Sequence, residues 1–516
     1  MQQYRIKNDQ KKQNTKDARS YYLHKADENL PKLNKTLIRP DVYPSVLSKG
    51  DTLVIDLGNH YVGYFSFKMW FVDEYIDAPV RMAIRFCETR GELCDDYTDY
   101  HGSLCESWLQ EEIINVDFPG EYKMPRRYAA RYVKFNILSA RRKISLSDFK
   151  FEAESSADMA TLKPLDVSDG ELCAIDRVAV NTLKNCMQRV FEDGPKRDRR
   201  LWIGDLRLEA LASYYTFENI PLVKRCLYLF AAAERNEYGI LPGFVYENPI
   251  FCSGNWFLID YSLMFVCTLC DLYSHAGDTE TLHDLYPIAK SILDVLDATK
   301  DDKGLVTARS GDVFIDWCKG LRKSTALEGI YLYTLDRWCE VLESIGNEED
   351  ATLYRARLEQ GRAASRKYLY DEKKAAFINE RDGYQSSVHS AAWMVLGGVV
   401  KGEEAKRILK EVICSPDSVK PFTPYMHHYT VDALIKAGLM QEAEKYIRNI
   451  WGGMVKLGAD TFFEVYVPSD SDFSPYGDRK ENSMCHAWSC TATYFIRKYG
   501  FGMPETPLLR NLRSKL

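Results

Sequence analysis

The spacing of apolar residues changes near residue 155, and this change is the strongest constraint on the fold. Before it, apolar and polar residues alternate with the period of a strand, as in Tyr61-Val-Gly-Tyr-Phe-Ser-Phe-Lys-Met-Trp-Phe71. After it, apolar residues recur with the period of an amphipathic helix, as at Leu206, Ala210, Tyr214 and Phe217. The pattern predicts a β-domain followed by a larger helical domain.

Twelve segments of the second half carry the helical period, and the loops between them alternate between short and long. We predict these helices at about 171–190, 205–218, 221–236, 256–276, 279–299, 323–345, 347–370, 387–400, 402–413, 426–437, 440–455 and 484–498. No short sequence repeat relates them, which argues against a solenoid. Six helical hairpins closed into an (α/α)6 barrel fit the pattern, and a site is expected where the longer loops gather.

The same patterns set the expected domain limits. Residues 1–45, rich in Lys, Asn and Gln, are predicted to be a lead-in segment that is poorly ordered or lies along the surface. An antiparallel β-sandwich is predicted over residues 46–158, the barrel over 159–505 and a short tail over 506–516.

The composition of the chain indicates which binding partners and which cellular compartment to expect. The net charge of −6 over 516 residues leaves no basic excess, so nucleic acid is not expected as a partner. The polar N-terminus has no apolar signal segment and no apolar run could span a bilayer, so we expect a cytoplasmic protein without a membrane partner. The 14 scattered cysteines suit free thiols in a reducing compartment. A homo-oligomer is compatible with this composition.

One loop carries an unusual density of functional groups. Asp193-Gly-Pro-Lys-Arg-Asp-Arg-Arg-Leu-Trp-Ile-Gly-Asp205 holds three carboxylates, four cations and a tryptophan just before a predicted helix, which Asp205 is expected to cap. A sugar pocket uses acids to move protons, donors to hold hydroxyls and an aromatic face for the ring. An ion-pair network that ties two helices together is the structural alternative, although it needs neither Trp202 nor the Gly-Pro turn.

Acids or histidine near tryptophan recur in other predicted loops and at helix entrances. Glu464 lies alone in an apolar and aromatic run, where burial raises the pKa of a carboxyl group that lacks partners. The other clusters contain Trp256 with Asp260, Asp316 with Trp317, and His486 with Trp488. Each cluster alone is compatible with core packing. Their recurrence around a ring of helices predicts a carbohydrate as the partner.

Motifs for cofactors and metals do not occur in the sequence. There is no Gly-rich dinucleotide loop after a strand, no Walker loop and no His-Glu-x-x-His. Cys267-Thr-Leu-Cys270 lies in an apolar helical run and is interpreted as core packing, and His427-His428 has no further ligand at metal spacing. We therefore predict neither a cofactor nor a metal.

With these motifs in place, the chain resembles the bacterial α-L-rhamnosidases of glycoside hydrolase family 78. The family's loop has the form Asp-x-Pro-x-Arg-Glu-Arg-x-x-Trp-x-Gly-Asp, which residues 193–205 match in register. Ile55-Asp-Leu-Gly-Asn-His-Tyr-Val-Gly63, Thr461-Phe-Phe-Glu464 and Ser483-Met-Cys-His486-Ala-Trp488 resemble further family elements. The resemblance covers about residues 50–500 and implies a β-sandwich before an (α/α)6 barrel.

The resemblance also implies roles for single residues. Asp198 occupies the general acid position and Glu464 the general base position of an inverting exo-glycosidase that releases terminal α-L-rhamnose or a closely related sugar. Inverting geometry implies carboxyl groups roughly 6.5–9.5 Å apart. The predicted substrate-binding residues, from the resemblance and the tryptophan clusters together, are Asp193, Arg197, Trp202, Asp205, Trp256, Asp260, Asp316, Trp317, His486 and Trp488.

Two departures from the family pattern leave alternatives open. The acid position holds Asp where the family usually has Glu, so Glu247 or Asp260 are alternative acids. The chain also ends soon after the last helix, whereas many relatives continue into a C-terminal β-sandwich. A polysaccharide lyase using Tyr466, His486 and Arg197 is a second hypothesis. A sugar-binding relative without activity is a third.

Overall fold

The computed structural model describes residues 16–72 and 78–503, and its first domain is an antiparallel sheet. The strands are β1 (Asn34–Ile38), β2 (Ser45–Leu47), β3 (Thr52–Phe71), β4 (Val80–Cys87), β5 (Glu111–Val116), β6 (Gly120–Lys123), β7 (Tyr128–Ser139) and β8 (Ile144–Ser155). They are ordered β1-β8-β3-β7-β4-β5, with β2 paired to β8 and β6 paired to β3. The predicted antiparallel β-domain is confirmed.

Strand β3 joins the two parts of this sheet. Its first half, from Thr52 to Gly63, pairs with β7, and its second half, from Gly63 to Phe71, pairs with β8. The side chains of Phe65 and Phe67 from β3 pack with Phe135 of β7 in a core that is separate from that of the helical domain. Period-two alternation therefore marks a real buried face, as the sequence pattern predicts.

The described part of the predicted lead-in over residues 1–45 is a mostly exposed helix followed by two strands. Residues 16–28 form helix α1 (Lys16–Glu28), and β1 and β2 belong to the sheet. Helix α1 buries Tyr22 and Ala26 and is held to the second domain by polar contacts, among them Lys25 to Glu280 at 2.7 Å. Few apolar residues mark this segment, because most of the helix surface stays exposed. Residues 1–15 and the predicted tail over 506–516 lie outside the described residues.

The second domain contains twelve helices within the described residues. They are α2 (Gly170–Cys186), α3 (Ile203–Tyr214), α4 (Ile220–Ala232), α5 (Ile259–Ala276), α6 (Thr279–Ala298), α7 (Ser324–Ser344), α8 (Glu348–Leu369), α9 (Val388–Leu396), α10 (Gly402–Cys414), α11 (Pro424–Lys436), α12 (Met440–Lys456) and α13 (Ala492–Tyr499). Helices α3, α5, α7, α9, α11 and α13 form the inner ring, and the others pack outside it. The predicted (α/α)6 barrel is confirmed.

All six inner helices run in the same direction. Their C-terminal ends line one polar cavity, which contains Arg337, Lys436 and Lys498, and the segments that precede several of them line another cavity at the opposite end. Helix N-termini carry partial positive charge and suit carboxylates, whereas helix C-termini carry partial negative charge and suit cations. The candidate acids lie at the N-terminal end.

The last predicted helix starts later than expected. It was predicted to begin at residue 484, but α13 begins at Ala492, and a short 3-10 turn, Ala487–Ser489, precedes it. His486 and Trp488 therefore lie in irregular backbone at the end of the barrel. Within the ranges 16–72 and 78–503, no helix is both long and apolar enough to cross a membrane.

Candidate active site

A cavity of about 400 Å³ lies where the sheet domain meets the N-terminal ends of the inner helices. Its volume falls in the range of small-molecule sites, about 300–1,000 Å³. Most of the predicted site residues line it, together with several that were not predicted. The lining residues are Leu104, Trp108, Asp193, Arg197, Asp198, Arg200, Trp202, Asp205, Phe244, Asn255, Trp256, Leu258, Tyr261, Phe314, Trp317, Glu464, Tyr476, His486 and Trp488.

The segment 193–200 is a closed loop that projects Asp198 into the cavity. The backbone amide of Asp193 donates to the carbonyl of Arg200 at 3.0 Å, and the amide of Arg200 donates to Oδ1 of Asp193 at 3.0 Å. At the apex, Asp198 and Arg199 have positive φ angles of 62° and 52°. Such left-handed backbone persists where surrounding contacts hold it. The side chain of Asp198 is 18% exposed.

Arg199 supplies part of that restraint. Its guanidinium donates to the carbonyl of Pro195 at 2.9 Å within the loop and to the carbonyl of Arg127 in the sheet domain at 2.7 Å. The apex of the loop is therefore tied to the neighbouring domain, and the side chain of Asp198 is free to face the cavity.

The predicted capping role of Asp205 is wrong. Helix α3 begins at Ile203 with Trp202 as its N-cap residue, so Asp205 lies inside the first turn. Its side chain is almost fully buried and faces the cavity. Gly204 allows this close packing, because a Cβ atom there would lie 2.5 Å from the ring of Tyr261 on α5. The helix therefore starts close enough to α5 to place Asp205 at the cavity.

Glu464 is held as a carboxylate by three donors. Arg197 Nη2 and the hydroxyl of Tyr476 donate to its two oxygens, and the amide of Ser483 donates to Oε2 at 3.1 Å. Burial alone would raise the pKa of Glu464. The charge of Arg197, together with His486 and these hydrogen bonds, outweighs burial and holds the pKa below its ordinary value. Glu464 is therefore a buried carboxyl whose partners compensate for its burial.

Arg197 links the two predicted catalytic carboxyls. Its Nη2 donates to Glu464, while its Nη1 lies 3.7 Å from Oδ2 of Asp198. The guanidinium also lies over the ring of Tyr476, 4.4 Å from its centroid, and donates from Nε to the carbonyl of Glu481 at 2.7 Å. Planar, multiply anchored arginine gives a fixed geometry between its partners. One buried side chain therefore spans the gap between Asp198 and Glu464.

The pKa values of the deeper carboxyls of the cavity shift upward instead. Burial, together with the charges of Asp198 and Asp205, raises the pKa of Asp193 well above its ordinary value, and burial does the same for Asp205. Burial lowers the pKa of His486 to about 3, so its imidazole is neutral. Nδ1 of His486 lies 3.5 Å from Oδ1 of Asp205. These neutral groups can both donate to and accept from hydroxyls.

Aromatic side chains form the walls around these acids. Trp202 packs against Phe244, with centroids 4.5 Å apart, and edge-on against Trp256 at 6.0 Å. Trp317 packs edge-on against Tyr476 at 5.8 Å. The indole nitrogens of Trp202 and Trp317 are buried without a hydrogen-bond partner among the described residues. The cavity thus combines ring faces with free donors, as a sugar site requires.

Asp260 and Asp316, predicted as substrate-binding residues, do not line the cavity. Asp260 accepts hydrogen bonds from the amides of Phe314 and Ile315, and it is fully buried. Asp316 accepts from His389 at 2.7 Å and from Thr423 Oγ1 at 2.7 Å. Both carboxylates hold loops in place behind the wall. An acid near a tryptophan has the same sequence pattern whether it faces a ligand or its own backbone.

The alternative acid Glu247 is also excluded from the cavity lining. Its carboxylate pairs with Arg225 of α4. Asp260, the other alternative, is occupied by the two backbone amides. Neither residue is therefore placed to meet a ligand in this cavity.

The sheet domain supports the 193–205 loop through buried ion pairs. Lys196, 2% exposed at its side chain, donates to Glu92 at 2.8 Å. Arg127 of the sheet domain pairs with Glu192, and the amide of Met484 donates to Glu88 at 2.7 Å. An ion-pair network, the structural alternative for this loop, therefore explains the position of Lys196. Its neighbours Arg197 and Asp198 instead face the cavity.

Several lining residues were missed by the sequence analysis. Tyr476 lies in a polar loop without a periodic pattern, and Leu104 and Trp108 come from the other domain. The remaining missed residues are Arg200, Phe244, Asn255, Leu258, Tyr261 and Phe314. A hydroxyl that donates to a carboxylate carries no local sequence signal, so Tyr476 could be found only in three dimensions.

The site has the groups needed for acid–base chemistry at an acetal. It offers an ionised, anchored carboxylate at Glu464 and a more exposed carboxyl at Asp198 on the other side of Arg197. No group of three or more His, Cys, Asp or Glu side chains in the described ranges is arranged to hold a metal ion. The arrangement suits hydrolysis of a glycosidic bond between two carboxyls.

Two family models match the chain. The glycosyl hydrolase family 78 α-rhamnosidase N-terminal domain matches residues 25–153. The bacterial α-L-rhamnosidase six-hairpin glycosidase domain matches residues 163–499. No curated protein sequence matches the chain.

Solved structures give a consistent result. The chain is 37% identical to a rhamnosidase from Klebsiella oxytoca with rhamnose bound, with a TM-score of 0.88 and coverage of 93% of this chain and 99% of that chain. A family 78 rhamnosidase of Bacillus sp. GL1 is 23% identical at a TM-score of 0.74, covering 89% of this chain and 48% of that one. The α-L-rhamnosidase from Dictyoglumus thermophilum is 19% identical at a TM-score of 0.68, covering 90% and 51%. These last two share the fold, and the chain spans about half their length.

Proposed function

The chain belongs to the α-L-rhamnosidases of glycoside hydrolase family 78, and from that premise we propose that Asp198 and Glu464 are the acid and the base with which it hydrolyses terminal α-L-rhamnosides. The observation that carries this assignment is the position of Arg197, which contacts both carboxyls from within one cavity. The reaction is an inverting hydrolysis, in which one carboxyl protonates the leaving oxygen and the other activates a water molecule.

Glu464 suits the role of general base. A base must be ionised at the working pH, and Arg197, Tyr476 and the amide of Ser483 all stabilise the carboxylate. The same contacts fix its orientation, so that a water molecule beside it would be held on one face of the sugar.

Asp198 suits the role of general acid because of its position at the apex of the loop. The leaving group must extend toward the solvent, so the residue that protonates the leaving oxygen needs contact with the open part of the cavity. The side chain of Asp198 is 18% exposed, whereas that of Asp205 is 2% exposed. Asp193 and Asp205, which lie deeper, are assigned to the hydroxyls of the bound sugar.

The aromatic walls explain why the cavity suits rhamnose. Trp202 and Trp317 each present a ring face and a free indole donor, and neutral His486 lies between the acids and Trp488 at a ring distance of 4.1 Å. Rhamnose carries a methyl group in place of a hydroxymethyl group, so an apolar wall beside hydroxyl partners fits it.

The lyase hypothesis has no support from the family or from the similar structures. Of its three residues, Tyr466 does not line the cavity and packs against Gly453 instead.

Hydrolysis of a panel of 4-nitrophenyl glycosides tests the proposal. We expect release from the α-L-rhamnoside, its loss in Glu464→Gln and a smaller decrease in Asp198→Asn, because 4-nitrophenolate leaves with little help from an acid. The proton NMR signal of the first sugar formed should show the inverted β-anomer. Release of the α-anomer first, or undiminished activity in either variant, would contradict the assignment.

A further inference from the structure

One wall of the cavity comes from the sheet domain. The loop between β4 and β5, residues 88–110, contributes Leu104 and Trp108 to the lining, and both side chains are half-buried. The acids and most aromatic residues of the cavity come from the barrel, so this loop is the contribution of the other domain to the lining. A group that leaves the barrel floor toward the solvent would pass this loop.

The loop is fixed at both sides of the cavity. On the side of the base, the amide of Ser103 donates to the carbonyl of Tyr476 at 2.8 Å. Toward the acid, Arg126 donates to the carbonyl of Ser107 at 3.0 Å, next to Trp108. The neighbouring carbonyl of Arg127 accepts from Arg199, which adjoins Asp198. Leu104 and Trp108 therefore each follow a loop residue, Ser103 or Ser107, that is hydrogen-bonded to a neighbouring segment.

The chemistry of this wall differs from that of the barrel. Leu104 offers no hydrogen bond, and Trp108 offers a large apolar face with a single donor. A second sugar in this position would stack one ring face on Trp108, but most of its hydroxyls would have no protein partners on this wall. A planar apolar group would instead be covered on its face.

We propose that Leu104 and Trp108 form the platform for the leaving group, and that the enzyme favours α-L-rhamnosides of planar aryl aglycones over rhamnosides linked to another sugar. This inference rests on the proposed function of the same cavity. It assigns to the sheet domain a direct part in substrate choice, while the barrel holds the rhamnose.

The test compares 4-nitrophenyl α-L-rhamnoside with a rhamnosyl-glucose disaccharide in the full chain. For Trp108→Ala we expect kcat/KM on the aryl substrate to fall roughly tenfold, mainly through KM, because a stacking contact is lost in both ground and transition states. The disaccharide should change less than threefold. The inhibition constant of free L-rhamnose should not change, because rhamnose has no leaving group.

Further variants keep the test independent of folding. Trp108→Phe should recover most of the aryl activity, and Leu104→Asn should lower the aryl-to-disaccharide ratio. Trp70→Ala, a change of an exposed tryptophan on β3 away from the cavity, is the matched control and should alter neither substrate. Melting temperatures identify any variant that is unfolded.

Certain results would overturn the platform. These are equal losses on both substrates, a changed inhibition constant for L-rhamnose, or an unchanged ratio in both Trp108→Ala and Leu104→Asn. Wild-type protein that hydrolyses neither rhamnoside would instead refute the proposed function, so the two failures are distinguishable.

Discussion

Arg197 and Glu464 form an ion pair in which both side chains are almost fully buried, 4% and 1% exposed. A buried carboxylate beside a fixed guanidinium is strongly stabilised as the charged form. The pair connects the loop before α3 to the segment after α12, which are far apart in sequence. The ionisation state of the proposed base therefore depends on how the barrel closes.

Replacing Glu464 with Gln should remove the base while keeping the shape of the side chain. We expect kcat on an aryl rhamnoside to fall about 10²- to 10⁴-fold. Because Arg197 then faces a neutral amide, the free energy of unfolding should also fall, by about 3 kcal/mol. Steady-state kinetics and urea denaturation measure these effects. Glu340→Gln, at the other end of the barrel, is the control; a Glu464→Gln variant within tenfold of wild type would argue against the assignment.

Asp198→Asn should show a loss that depends on the leaving group. Protonation of the leaving oxygen matters most for poor leaving groups, so alkyl rhamnosides should lose about 10²- to 10⁴-fold in kcat/KM and 4-nitrophenyl rhamnoside much less. A series of aryl rhamnosides with different phenol pKa values measures this dependence. A uniform loss across the series would indicate a binding role for Asp198 instead.

The acidic side of the pH–rate profile should reflect Glu464. Its pKa in the folded protein lies below the ordinary value of about 4.3, since Arg197 stabilises the carboxylate. We therefore expect kcat/KM to stay constant as pH falls toward about 5 and to decline only below the ordinary glutamate range. Decline of kcat/KM already between about pH 6 and 5 would contradict this.

The same shift predicts a pH-dependent stability. The contribution of Glu464 to the free energy of unfolding should be fully present above its unfolded pKa and disappear as pH falls through the lower folded pKa. The difference between wild type and Glu464→Gln, measured by urea denaturation, should shrink over that range. A difference that does not vary with pH would refute the linkage.

Glu209 should make the pH dependence of stability opposite to that caused by Glu464. It is fully buried, neither of its oxygens has a hydrogen-bond partner among the described residues, and burial raises its pKa well above the ordinary value. Above about pH 4.3 the unfolded chain releases this proton while the folded chain keeps it, so stability should fall as pH rises toward the folded pKa. Glu209→Gln should become more stable than wild type by up to about 1.4 kcal/mol per pH unit in that window. Denaturation between about pH 5 and 8 tests this, and a constant difference would contradict it.

Lys196→Met should destabilise the protein by about 3–5 kcal/mol, because it leaves Glu92 buried without its cation. Lys35→Met provides a matched comparison. Lys35 pairs with Glu152 at a similar distance of 2.7 Å, but both side chains are largely exposed, so the expected effect is small. Equal effects of the two substitutions on the free energy of unfolding would show that burial of the Lys196 pair is not decisive.

The periodicity of the sequence determined the two domains and nearly all helix positions. Burial of one face leaves a local record, because each helix must repeat its apolar residues every three or four positions. The helix predicted at 279–299 is observed at Thr279–Ala298, and that at 402–413 at Gly402–Cys414. Where few apolar residues hold a segment, as in α1, the record is weak and the sequence analysis predicted no helix. The 193–205 loop was also found from sequence, because its acids, cations and tryptophan are adjacent in the chain.

Only the tertiary structure decided which side chains meet. Asp260 and Asp316 resemble site residues in sequence, but backbone folding directs them to amides and to His389. Tyr476 and Trp108 carry no pattern, yet they reach the cavity because loops from two domains converge on the same inner helices. Local spacing records which face of an element is buried. It does not record the direction of an irregular loop, which depends on contacts between residues hundreds of positions apart.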